Sequence, residues 1–364
     1  MQILVDLRLL GRGGASGIEE YTRNITRSLL AADKINSYSF FYNGFRKKSP
    51  EPRFSNIIDW HLPNKILDLS ARLFSFPKVD RLIRTDLIFS PHFNILSVGR
   101  TPRIITFHDL SFLHHPQFFS GRQKFWHWLQ DVRKQANAAS HLVAVSDATK
   151  RDLVELLGVD PKKISVIYSG ISKEFKPNRK SANSSTNPYI LYLGTLEPRK
   201  NVPTIIKAFN LLKQKPEFRD WRLVLAGRPG WLYRDILREI KHSRFSKDIV
   251  LKGPVAGEER VKLYNAARVF AYPSFFEGFG FPPLEAQASG CPAIVADRTS
   301  LPEVVGDSAF RVNPWKPVDL AEIIELFSDD NMRNKMVELG LKNAARFSWE
   351  KTAAQTLDIF NKFR

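Results

Sequence analysis

The chain has 364 residues, too many for one ordinary α/β core and suited to two domains. Its 43% apolar and 25% charged residues describe a globular protein, and no apolar run is long enough to span a membrane. A net charge of +18 points to anionic partners, while the single Cys291 excludes an intramolecular disulfide and fits a reducing compartment. No zinc-finger spacing or aromatic RNA-binding signature accompanies the charge, so no nucleic-acid partner is expected. The opening Met-Gln-Ile-Leu-Val-Asp-Leu-Arg is too short an apolar run for a signal peptide, and a cytoplasmic location is expected.

Residues 2–6 read as a short strand, 9–17 as a glycine-rich turn, and 18–32 as a helix with Ile18, Tyr21, Ile25 and Leu29 on one face. This strand–loop–helix opening suits a doubly wound sheet. It is not a strict dinucleotide fingerprint, because Ser16 stands at the third glycine position counted from Gly11. Residues 38–42 read as the next strand, and 45–85 show no regular period. Further strands are expected at 87–90, 103–107, 142–145 and 164–168. Residues 116–140 interleave Phe118, Phe119, Phe125, Trp126 and Trp128 with Arg122, Lys124, Arg133 and Lys134. Such a stretch either meets a membrane interface or packs its aromatics inward beneath a solvated basic face.

Residues 176–188 are polar, have no apolar period and read as a linker. Strands at 189–193, 222–226, 249–252, 268–272, 293–296 and 310–312 follow, most of them separated by helical stretches. Strands alternating with helices imply parallel sheets covered on both faces. The tail from 331 reads as two helices broken near Phe347, with Ser348 as a helix start. The expected domains are 1–178, a linker at 179–187, 188–346, and a final helix at 347–364 that returns to the amino-terminal domain. The expected fold is α/β, with two Rossmann-like parallel-sheet domains and a ligand site in the cleft between them.

The most informative stretch is Pro273-Ser-Phe-Phe-Glu-Gly-Phe-Gly-Phe-Pro-Pro-Leu-Glu285. Its proline pair suits the first turn of a helix, which puts Glu285 on the helix and Glu277 on the loop before it. Gly278 and Gly280 let the backbone come close to a small ligand. A helix start offers free N–H groups and a positive dipole end. The stretch is therefore either a pocket for hydroxyls and a phosphate or an ordinary loop with a charged rim.

Three further segments accompany it: Leu193-Gly-Thr-Leu-Glu-Pro-Arg-Lys-Asn201, Ser300-Leu-Pro-Glu-Val-Val-Gly306 and Val145-Ser-Asp-Ala-Thr-Lys150. Together with Glu277 and Glu285, seven residues apart, they resemble retaining glycosyltransferases of family 4, which have the GT-B fold. The resemblance implies a carboxyl-terminal domain that holds a nucleotide sugar as co-substrate, with no resident cofactor and no metal. Glu285 is then expected to accept from the ribose hydroxyls and Glu277 from the transferred sugar. The backbone of Gly278, Phe279, Gly280 and Phe281 would face the sugar and diphosphate. Lys200 and Arg199 would meet the charge growing on the leaving diphosphate. Thr195 stands where the family often has an arginine, and Arg199 is the residue that could take part of its role. Val255 is expected near the base and His108 near the transferred sugar. Gly13 and Gly14 resemble the loop that closes over the diphosphate, though an ordinary turn fits them as well.

The Gly-Thr-Leu-Glu-Pro-Arg-Lys-Asn variant resembles bacterial mannosyltransferases of surface polysaccharide synthesis. It implies GDP-mannose as donor and a glycan or polyprenyl-linked acceptor, with a uracil nucleotide sugar as the alternative donor. Peripheral contact with the anionic inner face of the cytoplasmic membrane is also expected. Two other readings stay open: a GT-B nucleotide-sugar epimerase, and a basic nucleic-acid- or lipid-binding protein without catalysis.

Overall fold

Thirteen strands, every named pair of them parallel, build two sheets in the computed structural model, which describes residues 1–12, 16–43, 54, 56–178 and 187–364. Gly13 and Gly14 lie outside the described residues, as does most of the expected linker. Two compact units emerge: Met1–Gly170 with Ser348–Arg364, and Ile171–Phe347.

The first unit contains β1 (Gln2–Asp6), β2 (Ser37–Phe41), β3 (Ile57–Ile58), β4 (Leu87–Ser90), β5 (Arg103–Phe107), β6 (His141–Ala144) and β7 (Ile164–Val166). Their order across the sheet is β3-β2-β1-β4-β5-β6-β7. Every residue of β4, β5 and β6 is buried, as strands covered on both faces require. The helix Gly17–Ala32 begins at Ser16, whose hydroxyl accepts from the Glu19 N–H while the Glu19 carboxylate accepts from the Ser16 N–H. The final helix Trp349–Asn361 packs along it, with the Tyr21 and Trp349 rings 5.7 Å apart. Ser348 caps that helix by accepting from the Lys351 N–H.

The first unit ends at Gly170, ahead of the expected boundary at 178. Gly170 has no room for a side chain, since a Cβ would lie 2.2 Å from the Trp349 nitrogen. The segment after it belongs with the second unit. The Phe175 ring meets Tyr264 at 6.0 Å, and the Asn178 N–H donates to Asn265.

Two stretches are more ordered than their sequence period suggests. Within the irregular 45–85 region lies a helix, Asn64–Phe74, that buries Leu67, Asp68 and Ala71. Residues 116–140 are not one helix but two, Gly121–Leu129 and Val132–Ala138, broken at Asp131 with φ 45°. The aromatics divide between the two faces of the first of these helices. Trp126 turns inward to Phe93 at 6.0 Å, while Phe125 and Trp128 face outward.

The strand order of the first unit reverses direction between β1 and β4, the switch point where doubly wound sheets place polar machinery. Beneath it lies a buried ionic network. Arg8 donates through Nε to Asp6 Oδ1 at 2.9 Å and through Nη2 to Asp6 Oδ2 at 2.7 Å. Its Nη2 also donates to the Ile95 carbonyl, and its Nη1 lies 3.4 Å from Asp68 Oδ1. Burial acts to raise the Asp6 carboxyl, but Arg8, His92 and Arg103 outweigh it and hold the pKa at about 2. That value lies below the ordinary 3.8, so the unfolded chain binds the proton more readily. The stabilisation is whole above about pH 4 and is lost as pH falls toward 2. Asp6→Asn leaves Arg8 buried with only the single, longer Asp68 contact to offset its charge and is expected to cost about 3–5 kcal/mol. Thermal melting followed by circular dichroism checks this, with a lower melting temperature and a weaker acid limb as the expected result.

The second unit contains β8 (Tyr189–Leu193), β9 (Arg222–Ala226), β10 (Ile249–Gly253), β11 (Val269–Tyr272), β12 (Ala293–Ala296) and β13 (Phe310–Val312), in the order β10-β9-β8-β11-β12-β13. Its switch point falls between β8 and β11.

Candidate active site

The loops leaving β8 and β11 carry the residues singled out in the sequence, and the parallel sheet sets them side by side. The β8 loop ends in a tight turn, Pro198–Lys200, stopped by Asn201 at φ 56°. The Asn201 amide donates to the Pro273 carbonyl at 3.1 Å and the Pro314 carbonyl at 2.6 Å. The Arg199 carbonyl accepts from the Phe275 N–H at 2.8 Å, and the Ser274 Oγ lies 3.1 Å from it. The two loops are thus fixed to each other by one backbone bond and by side chains that reach backbone carbonyls.

The side chains of Lys200 and Glu277 form a buried ion pair. Lys200 Nζ donates to Glu277 Oε1 at 2.5 Å and to the Tyr272 hydroxyl at 2.8 Å. The Ser274 hydroxyl donates to the same Oε1 at 2.6 Å. Arg199 Nη1 lies 3.6 Å from Glu277 Oε2 and donates to the Phe276 carbonyl. Glu277 and Lys200 are each 7% exposed. Burial acts to raise the Glu277 carboxyl, but Lys200 and Arg199 outweigh it and hold it below the ordinary value. Burial and the neighbouring Arg199 lower the Lys200 ammonium, while Glu277 pulls it back up.

The oxygens of Glu277 are not equivalent. Oε1 accepts from Lys200 and Ser274, whereas Oε2 lies on the side of the Arg199 guanidinium, and the Tyr272 hydroxyl is also bonded to the carboxylate. An ammonium carries three donors, and two of those on Lys200 are used within the described residues. The Glu277 N–H is held by Thr299 Oγ1 at 3.1 Å. Ser300 Oγ donates to the Glu277 and Phe279 carbonyls at 2.9 and 3.1 Å. The arrangement suits a ligand with hydroxyls at Oε2 and anionic oxygens toward the two cations.

The helix Phe281–Ala288 starts with Pro282 and Pro283 in its first turn, so Glu277 lies on the loop and Glu285 on the helix. Gly280 stands before it at φ 105°, where a Cβ would meet Leu301 at 2.8 Å. The Phe279 ring packs on Phe281 and Phe347 at 5.2 and 5.9 Å, so these side chains are structural. Glu285 is fully buried. Its Oε1 pairs with Arg260, and its Oε2 accepts from the Tyr264 hydroxyl at 2.9 Å. Val255 is half-buried in the turn after β10.

In the first unit His108 follows β5. Its Nε2 lies 2.8 Å from the Pro91 carbonyl, which makes Nε2 the protonated nitrogen when the ring is neutral. The Tyr21 ring stands edge-on to it at 4.7 Å. Burial pulls its pKa down to about 4, so the imidazole is neutral near pH 7.

Sequence reasoning missed Tyr272, Ser274, Thr299 and Arg260. Ser274 lies inside the glycine-rich stretch, and Tyr272 is the last residue of β11, so position could have found both. Arg260 follows two glutamates on a helix and reads as a solvated charge. Among the described residues no three His, Cys, Asp or Glu side chains gather as a metal site would need.

Two parallel, doubly wound sheets of this kind are the architecture of GT-B glycosyltransferases. The profile described as Glycosyltransferase Family 4 matches residues 15–175, and that described as Glycosyl transferases group 1 matches 174–343. The chain is 31% identical over 267 residues to the O-antigen chain mannosyltransferase B of Escherichia coli, covering 71% of this chain and 69% of the relative. It is 28% identical over 327 residues to a D-inositol 3-phosphate glycosyltransferase of Corynebacterium glutamicum, covering 82% of this chain and 77% of the relative. Its fold matches sucrose-phosphate synthase from Thermosynechococcus elongatus with a TM-score of 0.81 at 20% identity, over 100% of this chain and 98% of that one. The chain belongs to glycosyltransferase family 4 and is a glycosyltransferase.

Glu277→Gln keeps the shape of the side chain but removes its charge. Turnover is expected to fall on the order of a hundredfold. The buried Lys200 makes this change costlier for folding than a loop carboxylate would suggest, by about 3–5 kcal/mol. A transfer assay paired with thermal melting measures both effects, and a variant with near-normal turnover would remove Glu277 from the site.

Proposed function

We propose that the chain is a retaining, metal-independent hexosyltransferase that moves mannose from GDP-mannose to a glycan or polyprenyl-linked acceptor in polysaccharide biosynthesis. It would work at the inner face of the cytoplasmic membrane through peripheral contact. The observation that carries this reading is the buried Lys200–Glu277 pair between the β8 and β11 loops. The likeness to an O-antigen mannosyltransferase supports mannose as the sugar.

In this reading Glu277 Oε1 is the anchored oxygen, and Oε2 accepts hydroxyls of the transferred sugar. The unused Lys200 donor and the Arg199 guanidinium meet the leaving diphosphate. As the sugar–phosphate bond breaks, negative charge grows on the departing oxygen and the sugar becomes oxocarbenium-like. Lys200, held by Tyr272 and Glu277, and Arg199, held by Glu197 and the Phe276 carbonyl, need no reorganisation to meet that charge. The departing phosphate takes the proton of the acceptor hydroxyl, which attacks the same face and so retains configuration. The positive dipole end of the Phe281–Ala288 helix adds favourable potential for the diphosphate, although Pro282 and Pro283 bring no N–H of their own.

Glu285, with Arg260 and Tyr264, is proposed as the ribose-binding carboxylate, and Val255 as a wall of the base pocket. In the first unit, neutral His108 is proposed to bind a hydroxyl through its ring. Arg199 takes over part of the work of the arginine replaced by Thr195.

The test supplies labelled GDP-mannose or UDP-sugars with a polyprenyl-linked glycan and excess EDTA. The expected product is mannosylated acceptor with retained anomeric configuration. Transfer from uridine donors alone overturns the donor assignment. Release of isomerised sugar without transfer favours an epimerase. Loss of activity in EDTA that Mg2+ restores overturns metal independence.

A further inference from the structure

The helix Asn64–Phe74 has two apolar sides, and only one is used within the first unit. Leu67 and Ala71 face inward. Ile66, Leu69 and Leu73, spaced three and four residues apart, share the opposite side and are exposed. Phe74 at the end of the helix is 75% exposed and Phe76 beyond it 63%. The Gly121–Leu129 helix lies alongside. Its outward Phe125 and Trp128 stack at 5.7 Å, and Arg72 covers the Trp128 ring at 5.1 Å. Large side chains grouped on one face in this way mark an interaction surface.

Charge indicates what covers it. Residues 64–85 contain Lys65, Arg72, Lys78, Arg81 and Arg84 against Asp68 and Asp80. Both carboxylates are engaged elsewhere: Asp68 is buried beside Arg8, and Asp80 accepts from the Gly99, Arg100 and Thr101 N–H groups. A cavity of about 200 Å³ adjoins the end of the helix and is lined by Arg72, Lys78, Arg103, Lys134 and Asp131 among others. Asp131 is paired with Arg72. Arg103 is 7% exposed and donates only to neutral acceptors: Ser90 Oγ, Gln135 Oε1 and the Asn94 and Leu96 carbonyls. An apolar stripe with interfacial aromatics and a cationic hollow beside it matches a bilayer of anionic lipid. No helix among the described residues is long and apolar enough to cross a membrane.

We propose that this face docks the first unit on an anionic phospholipid bilayer, with Ile66, Leu69, Leu73, Phe74 and Phe76 inserted among the acyl chains and a headgroup phosphate in the adjoining cavity. The inference deepens the peripheral contact proposed above by naming the surface that makes it. It moves the contact away from the 116–140 stretch as a whole, of which only Phe125 and Trp128 take part.

The test floats the full chain with vesicles of phosphatidylcholine alone or with phosphatidylglycerol at about three in ten, at low and high salt. Two variants accompany it. One is the triple Ile66→Ser, Leu69→Ser, Leu73→Ser, and the other is the double Lys78→Gln, Lys134→Gln. The wild type is expected to float with the anionic vesicles at low salt and to lose at least about tenfold in partitioning with neutral lipid. The triple variant loses at least about tenfold on anionic vesicles with an unchanged melting temperature. The double variant loses its preference for the anionic lipid. A triple variant that floats like the wild type overturns this surface and leaves the membrane contact standing. A wild type that stays unbound at low salt overturns both. Light scattering that finds a dimer in the wild type and a monomer in the triple variant assigns the face to a second copy and overturns the proposal.

Discussion

A cation and a carboxylate buried together at the turn of a parallel sheet constrain the second unit more than any other contact. Removing two charges from water is expensive, and the attraction between them repays it only when the remaining donors and lone pairs are satisfied. Tyr272 and Ser274 do this for Lys200 and Glu277 Oε1. The requirement reaches back into the fold. β8 and β11 must be neighbours, Asn201 must hold its left-handed turn, and the Arg199 carbonyl must accept from the other loop. Glu277 Oε2 lies 3.6 Å from the Arg199 guanidinium, and it is the oxygen that the proposed function gives to the ligand.

The first unit repeats the logic with different residues. Its switch point lies between β1 and β4, and the ion pair there is Asp6 with Arg8. Here the guanidinium is wholly enclosed, and its donors go to Asp6, Asp68 and the Ile95 carbonyl. Enclosure makes this pair a fixed floor under its loops. Lys200 uses two of its three donors within the described residues, and Glu277 Oε2 lies toward Arg199. The same topology therefore yields a scaffold in one unit and a binding constellation in the other.

Much of this was legible in the sequence because the relevant signals are local. The proline pair at 282 and 283 announced a helix start, which separated the loop glutamate from the helix glutamate. Strand–helix alternation announced parallel sheets, and with them loops gathered at the carboxyl edge. What escaped depended on contacts distant along the chain. Arg260 gives no sign among its helical neighbours that it meets Glu285. The helix Asn64–Phe74 was hidden because it is apolar on two sides, which destroys the period that reveals an amphipathic helix. Asp131 broke the 116–140 stretch with a left-handed residue that carries no glycine or proline signal. The unit boundary ahead of 178 goes with Gly170 packing against Trp349, a contact across about half of the chain.

The central claim is that Lys200 and Glu277 act as one unit on the transferred sugar. A double-mutant cycle on transfer rate tests it most directly, using Lys200→Met, Glu277→Gln and the two together, each corrected for the folded fraction. Residues that act as a unit give strongly non-additive losses. A pair acting as one unit makes the double variant scarcely slower than either single one. Losses that multiply as if the two residues were independent would contradict it.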